Sequence, residues 1–304
     1  MLRKVLLGAF LATTNLALAN PPPVTPPPVA LPPVALPPGV RMESGVVYVE
    51  RGDVPIAGDL FLPSGAGPFP VVVLIHGGGW ASGDKKMMHP TAARLAGRGY
   101  AAFAIGYRLA PKHRYPAPLE DCRAAVGWLH ANAKKHSLDA SRIAAWGYSA
   151  GAHLAALLAT TGNERGGERI AAAVVIAGPS DLLRLASVDG GTPAAIRVLP
   201  PFLGGGPKER RDGYLAASPI RHVDAGDPPM FLVHGALDEV VPFDQAEAFA
   251  GALEGAGVKA VLFRAENTTH ASMSPSLSQG ITAAIEFLDG ALSASSATDP
   301  GTRH

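Results

Sequence analysis

The chain has 304 residues, with 26 Lys and Arg against 25 Asp and Glu, a net charge of +1, and a single cysteine. So even a balance offers no electrostatic footprint for a phosphate backbone, and no nucleic-acid partner is expected. One cysteine excludes an internal disulfide and a four-thiolate zinc site, while 47% hydrophobic residues leave ample apolar surface for a large core.

Residues 1–19 read as an export leader. Arg3 and Lys4 form a basic start, Val5 to Ala12 is apolar, and Ala17-Leu18-Ala19 is a small-x-small cleavage site before Asn20. The apolar run is shorter than the roughly 20 residues that span a bilayer. The expectation is cleavage after Ala19 and a secreted or periplasmic protein with no stable membrane anchor. Residues 20–40 follow as a Pro-rich linker. Ten of the twenty residues Asn20 to Gly39 are proline, and Val-Ala-Leu-Pro-Pro occurs twice. A run so poor in N–H donors favours a semi-rigid polyproline II tether; a ligand for a proline-binding partner is the sharper alternative. The polar residues 293–304 read as a flexible tail.

Residues 41–292 form one predicted domain. Val46–Glu50 and Ile56–Leu62 alternate apolar and polar, as antiparallel strands at a sheet edge do. Pro70–Ile75 is a continuous apolar run, the mark of a strand covered on both faces. Ala101–Tyr107, Arg142–Tyr148, Ala171–Ala177, Met230–His234 and Ala260–Arg264 read as further strands. Between them, helical patterns cover Met87–Gly97, Pro118–His136, Ala150–Thr160, Asp244–Gly255 and Leu277–Leu292. This alternation predicts an α/β fold, a mostly parallel sheet with helices on both faces. Ser180 to Arg221 interrupts it with Gly190-Gly191, Pro200-Pro201 and Gly204-Gly205-Gly206, and reads as a small irregular insertion with one or two short helices over the strand ends.

Gly147-Tyr148-Ser149-Ala150-Gly151 lies where a strand gives way to a helix. A Gly-x-Ser-x-Gly turn in that setting lifts the serine hydroxyl clear of the sheet. Upstream, His76-Gly77-Gly78-Gly79-Trp80 follows the strand ending at Ile75. The N–H groups of Gly77 and Gly78, with that of Ala150, are candidates for an oxyanion hole. A phosphate loop is the competing reading, but no Lys-Ser or Lys-Thr follows the glycines. A serine nucleophile needs a base and an orienting acid. His270 is the candidate base, since only the terminal His304 otherwise follows the last strands. Asp238 is the candidate acid, with Glu239 as the adjacent alternative. Trp80 and Tyr148 flank the site and are candidates for a substrate pocket or for packing alone. His153, one turn beyond Ser149, suits packing or an outer hydrogen bond, His76 suits bracing its loop, and His234 suits a buried, satisfied histidine. Cys122 reads as a buried apolar residue.

With Tyr107-Arg-Leu-Ala-Pro111 and Glu120-Asp121, these motifs resemble the α/β-hydrolase esterases, and the hormone-sensitive-lipase-like group in particular, over about residues 45–290. Gly77-Gly-Gly-Trp80 followed by Ser82-Gly-Asp-Lys85, with Ser218-Pro-Ile220 and Asp227-Pro-Pro229, is similar to the carboxylesterase branch called BD-FAE. The resemblance implies an α/β-hydrolase fold and a serine carboxylesterase with a Ser149, His270, Asp238 triad. It would act on short-chain acyl, aryl, feruloyl or acetyl esters, small or polymer-linked, through an acyl-enzyme, with no metal or other cofactor. An amidase or arylformamidase is the alternative chemistry, and a non-catalytic binding protein on the same scaffold the alternative class. Only strand-like residues separate Gly39 from His76, so the helical N-terminal cap of the hormone-sensitive-lipase-like proteins is expected to be missing and the site more open. Thr268-Thr269 stands where such relatives often carry Gly beside the histidine.

Overall fold

The computed structural model describes residues 33–162, 169–187, 191–272 and 275–293. The leader, the first part of the Pro-rich segment and nearly all of the tail lie outside these residues.

The organising element is strand β3 (Phe69–Ile75), in which every residue from Val71 to Ile75 is sealed from solvent. Val71, Val73 and Ile75 join the core on one face of the sheet, and Val72 and Leu74 the core on the other. Successive strand residues point to opposite faces, so a strand covered on both sides must be apolar throughout. Each such aliphatic side chain contributes about 1.5–3 kcal/mol on burial.

Around β3 lie β1 (Arg41–Arg51), β2 (Val54–Leu62), β4 (Ala101–Ile105), β5 (Leu138–Tyr148), β6 (Ala172–Ile176), β7 (Met230–Gly235) and β8 (Ala260–Ala265). They form one sheet in the order β1-β2-β4-β3-β5-β6-β7-β8. β1 pairs antiparallel with β2, and β2 with β4, while every pair from β4/β3 to β7/β8 is parallel. All eight expected strands are present. Helices α2 (Ala117–His136), α3 (Ala150–Thr161) and α7 (Asp244–Gly255) cover one face, and α1 (His89–Ala96) and α8 (Pro275–Ala291) the other. Every residue of α3 is buried, as a helix apolar on all sides requires.

The insertion holds more helix than expected. It contains α4 (Leu182–Leu185), α5 (Pro193–Leu203) and α6 (Arg211–Ala216), where the sequence suggested one or two. Pro200 and Pro201 fall inside α5, where their missing N–H groups would ordinarily end it. They sit in its last turn, and the helix closes at Gly204 (φ +85°), where the N–H groups of Gly204 and Gly205 both donate to Pro200 O. Thr192 caps the other end through Ala195 N–H, ahead of Pro193.

The end of the Pro-rich linker lies on the domain. Val34 and Val40 pack against the core beneath α1 and α8. A free tether to residue 40 is thereby shortened. No helix precedes β3 among the described residues.

Candidate active site

Ser149 sits between β5 and α3 with φ 53° and ψ −119°. That backbone costs a non-glycine residue about 1–3 kcal/mol and is held only where the surroundings enforce it. Its N–H donates to Ile176 O at 2.8 Å, which ties the turn to β6. A β-carbon on Gly147 would lie 2.1 Å from Gly151 O, and one on Gly151 2.1 Å from Ile75 O. The two glycines are therefore dictated by the close approach of α3 to β5 and β3.

Three side chains from distant loops converge here. The Ser149 hydroxyl donates to His270 Nε2 at 3.0 Å, and His270 Nδ1–H donates to Asp238 Oδ2 at 2.7 Å. Asp238 follows β7, and its Oδ1 accepts from the N–H groups of Val240 and Val241 at 2.9 and 2.8 Å. Burial works to raise the Asp238 pKa, but hydrogen bonds from His234 and His270 and from Val241 N–H outweigh it and hold the carboxyl well below the usual range. The arrangement can pass the Ser149 proton to His270 and leave the imidazolium facing a fixed negative charge. Glu239, the rival acid, lies elsewhere. Its Oε2 accepts from the backbone N–H of His270 at 3.4 Å.

Two supports were not foreseen. His234 Nε2–H donates to Val241 O at 2.8 Å and lies 3.4 Å from Asp238 Oδ2, so this buried histidine braces the acid's loop as well as satisfying itself. The phenol of Tyr148 donates to His270 O, which anchors the base's loop to the strand end beside Ser149. Burial pushes the Tyr148 pKa up to about 12, so the phenol keeps its proton.

The glycine loop is held from beneath. The His76 ring stacks on Tyr107, with centroids 4.3 Å apart, and Tyr107 OH donates to His76 O at 2.9 Å. Arg108 binds buried Asp121 through Nε at 2.8 Å, which fixes the Tyr107 to Pro111 stretch against α2. A β-carbon on Gly78 (φ +117°) would lie 2.2 Å from Ser82 O. Gly78, Gly79 and Ala150 line the same cavity as Ser149, and no acceptor among the described residues engages their N–H groups. Gly77 lies outside that wall. It packs behind Ser149, where a β-carbon would be 3.3 Å from the serine's own. Of the two expected glycines, the structure brings Gly78 to the cavity wall and, in place of Gly77, Gly79.

The cavity over Ser149 measures about 380 Å³. Trp80, Tyr148 and His270 line it, together with Leu185 and the α5 residues Ala194, Ala195, Arg197, Val198 and Leu199. Trp80 is buried, stacks on Phe202 with centroids 4.4 Å apart, and lines the cavity. Tyr148 also borders a second, mostly apolar cavity of about 340 Å³ next to α1 and α8. Cys122 is buried, and burial pushes its thiol pKa well up. Among the described residues, no helix is long and apolar enough to cross a membrane.

A serine on a strained strand-to-helix turn, in a sheet of this order, defines the α/β-hydrolase class. The chain belongs to the BD-FAE family, whose model matches residues 59–253. That span includes Ser149 and Asp238 and stops short of His270. The chain is 34% identical over 207 residues to a Mycobacterium tuberculosis protein named "Probable carboxylic ester hydrolase LipM", covering 65% of this chain and 48% of that one. It thus spans about half the length of the curated mycobacterial relatives it matches. A bacterial heroin esterase of known structure is 31% identical with a TM-score of 0.74, over 84% of this chain and 85% of its own. The butyrate-bound Est2 esterase of Thermogutta terrifontis is 28% identical with a TM-score of 0.69, over 85% and 97%.

Proposed function

We propose that this protein is a serine carboxylesterase that cleaves esters with a short acyl chain or an aryl group. The observation that carries the reading is the unbroken run of contacts from Ser149 Oγ through His270 to Asp238 at the floor of a cavity. His270 takes the Ser149 proton as Oγ attacks the ester carbonyl. The oxyanion is held by the N–H groups of Gly78, Gly79 and Ala150, at the N-terminus of α3. The imidazolium returns its proton to the departing alcohol, and a water activated by His270 then releases the acid. Asp238 holds the ring with Nδ1 protonated and offsets its charge. The esterase names of the relatives favour esters over amides, and a cavity of about 380 Å³ suits a short chain or one ring. The leader-like N-terminus supports action outside the cytoplasm.

The purified protein is expected to react with a fluorophosphonate probe and to hydrolyse p-nitrophenyl acetate and butyrate faster than octanoate. Ser149→Ala is expected to abolish labelling and to lower kcat by about 10³-fold or more. A wild type that neither labels nor turns over any ester would overturn the reading in favour of a binding protein.

A further inference from the structure

The cavity wall is apolar or uncharged on almost every side. Among the described residues that line it, Arg197 is the only Lys, Arg, Asp or Glu. Arg197 stands on α5, the helix that faces the glycine loop, with Val198 beside it 3.2 Å from where a β-carbon on Gly79 would sit. The helix is fastened to the acid's loop, because Thr192 Oγ donates to Val240 O at 2.8 Å.

The guanidinium has no ion-pair partner or side-chain hydrogen bond among the described residues. Its neighbour in the insertion is different: Arg184 is paired with Asp244 at 2.5 Å. Glu239, the acidic side chain at the edge of the triad, is not part of the wall and serves the His270 N–H. Exposed at the wall of the reaction cavity with its donors unclaimed by any described residue, Arg197 is placed to take an anionic group by charge-assisted hydrogen bonds.

Resting on the esterase reading, we propose that Arg197 selects substrates, and that the preferred esters carry a carboxylate on the acyl or the alcohol side. The guanidinium would bind that carboxylate while the ester carbonyl lies over Ser149. Both halves of an ester occupy one cavity here, so each side needs its own probe.

The test uses two matched pairs on the full-length protein. For the alcohol side, 4-acetoxybenzoate is compared with its methyl ester; for the acyl side, mono-4-nitrophenyl glutarate is compared with 4-nitrophenyl valerate. The readout is the ratio of kcat/KM, anionic over neutral. In the wild type it is expected to exceed one for at least one pair and to fall as salt is raised. Arg197→Gln is expected to lower it about tenfold, the order of one hydrogen bond to a charged group. Arg197→Glu should lower it further, and Arg197→Lys should keep part of it. A ratio that neither Arg197→Gln nor salt moves, in both pairs, overturns the assignment even if all four esters are cleaved. If no ester is cleaved, the esterase reading fails by itself, and calorimetry decides Arg197 separately. Ser149→Ala should bind 4-acetoxybenzoate more tightly than its methyl ester, and equal binding of the two would sink the proposal.

Discussion

The indole N–H of Trp80 donates to Nδ1 of His153 at 3.2 Å, and Nε2–H of the same histidine donates to Ala217 O at 2.6 Å. One buried ring thus ties the glycine loop that borders Ser149 to the insertion that closes the cavity. The geometry requires a neutral imidazole with its proton on Nε2, and burial drives the His153 pKa down to about 4. The sign follows from linkage. The folded value lies below the ordinary 6.5, so the unfolded chain takes up the proton first as pH falls. Stability is complete above pH 6.5 and lost down to pH 4, by about 2–3 kcal/mol at pH 4.5. His153→Leu leaves two buried polar groups unpaired, at about 1–3 kcal/mol each, but removes this acid sensitivity. Urea unfolding should therefore show a wild-type advantage at pH 7.5 that shrinks by about 2 kcal/mol at pH 4.5. An advantage equal at both pH values would mean that His153 titrates as an ordinary histidine.

Asp238 and Glu239 are neighbours with different tasks, and substitution separates them. Asp238→Asn keeps the shape but presents an amide that favours the wrong histidine tautomer. A loss of about 10³–10⁴-fold in kcat is expected, with little change in KM. Glu239→Gln keeps an oxygen for the His270 N–H, and activity should stay within about threefold, since that exposed contact is worth little more than 0.5 kcal/mol. Comparable losses in kcat for the two variants would reverse the assignment of the acid.

The elbow was legible in the sequence because steric demand admits only glycine at Gly147 and Gly151, and the central strands because burial on both faces leaves no polar position from Val71 to Ile75. The choice between Gly77 and Gly79 was not legible. Adjacent glycines look alike in sequence, and only the path of the loop decides which one faces the cavity. Nor was α5 foreseen as a helix. Pro200-Pro201 reads as a break, yet the two rings fall where the helix is ending anyway. For the same reason Arg197 had no local signal, since its meaning comes from the helix that carries it to Ser149's cavity.

The same steric argument predicts opposite outcomes for two glycine-to-alanine changes. Gly151→Ala drives a methyl to within 2.1 Å of Ile75 O and 2.5 Å of His76 O, both backbone atoms. Separating α3 from β3 to relieve this costs about 3 kcal/mol or more and displaces Ser149. Gly251 lies in α7 with nothing within 4 Å of a new β-carbon, so Gly251→Ala should stabilise by about 0.5–1 kcal/mol through helix propensity. Thermal unfolding should place one variant well below the wild type and the other slightly above it. A soluble, active Gly151→Ala protein of wild-type Tm would refute the packing described for the elbow.

Asp227, far from the cavity over Ser149, carries a different liability. It is 8% exposed; Oδ2 accepts from Asp224 N–H at 3.1 Å, and Oδ1 has no hydrogen-bond partner among the described residues. Burial raises its pKa from 3.8 to about 6, with the Asp224 carboxylate adding to the rise. A raised carboxyl pKa means that the folded state holds its proton more tightly than the unfolded chain. The fold is therefore penalised where the group must ionise, above pH 6, and relieved as pH falls towards 4. Between pH 7.5 and 5 the relief amounts to about 1–1.5 kcal/mol. Asp227→Asn has no such titration. Its amide NH₂ takes the place of the unpartnered oxygen and carries a pH-independent cost of its own, so only the change with pH is diagnostic. Relative to Asp227→Asn, the wild type should gain about 1–1.5 kcal/mol in urea unfolding when the buffer is taken from pH 7.5 to pH 5. A difference between the two proteins that stays constant over that interval would show that the Asp227 carboxyl is already ionised without penalty in the fold.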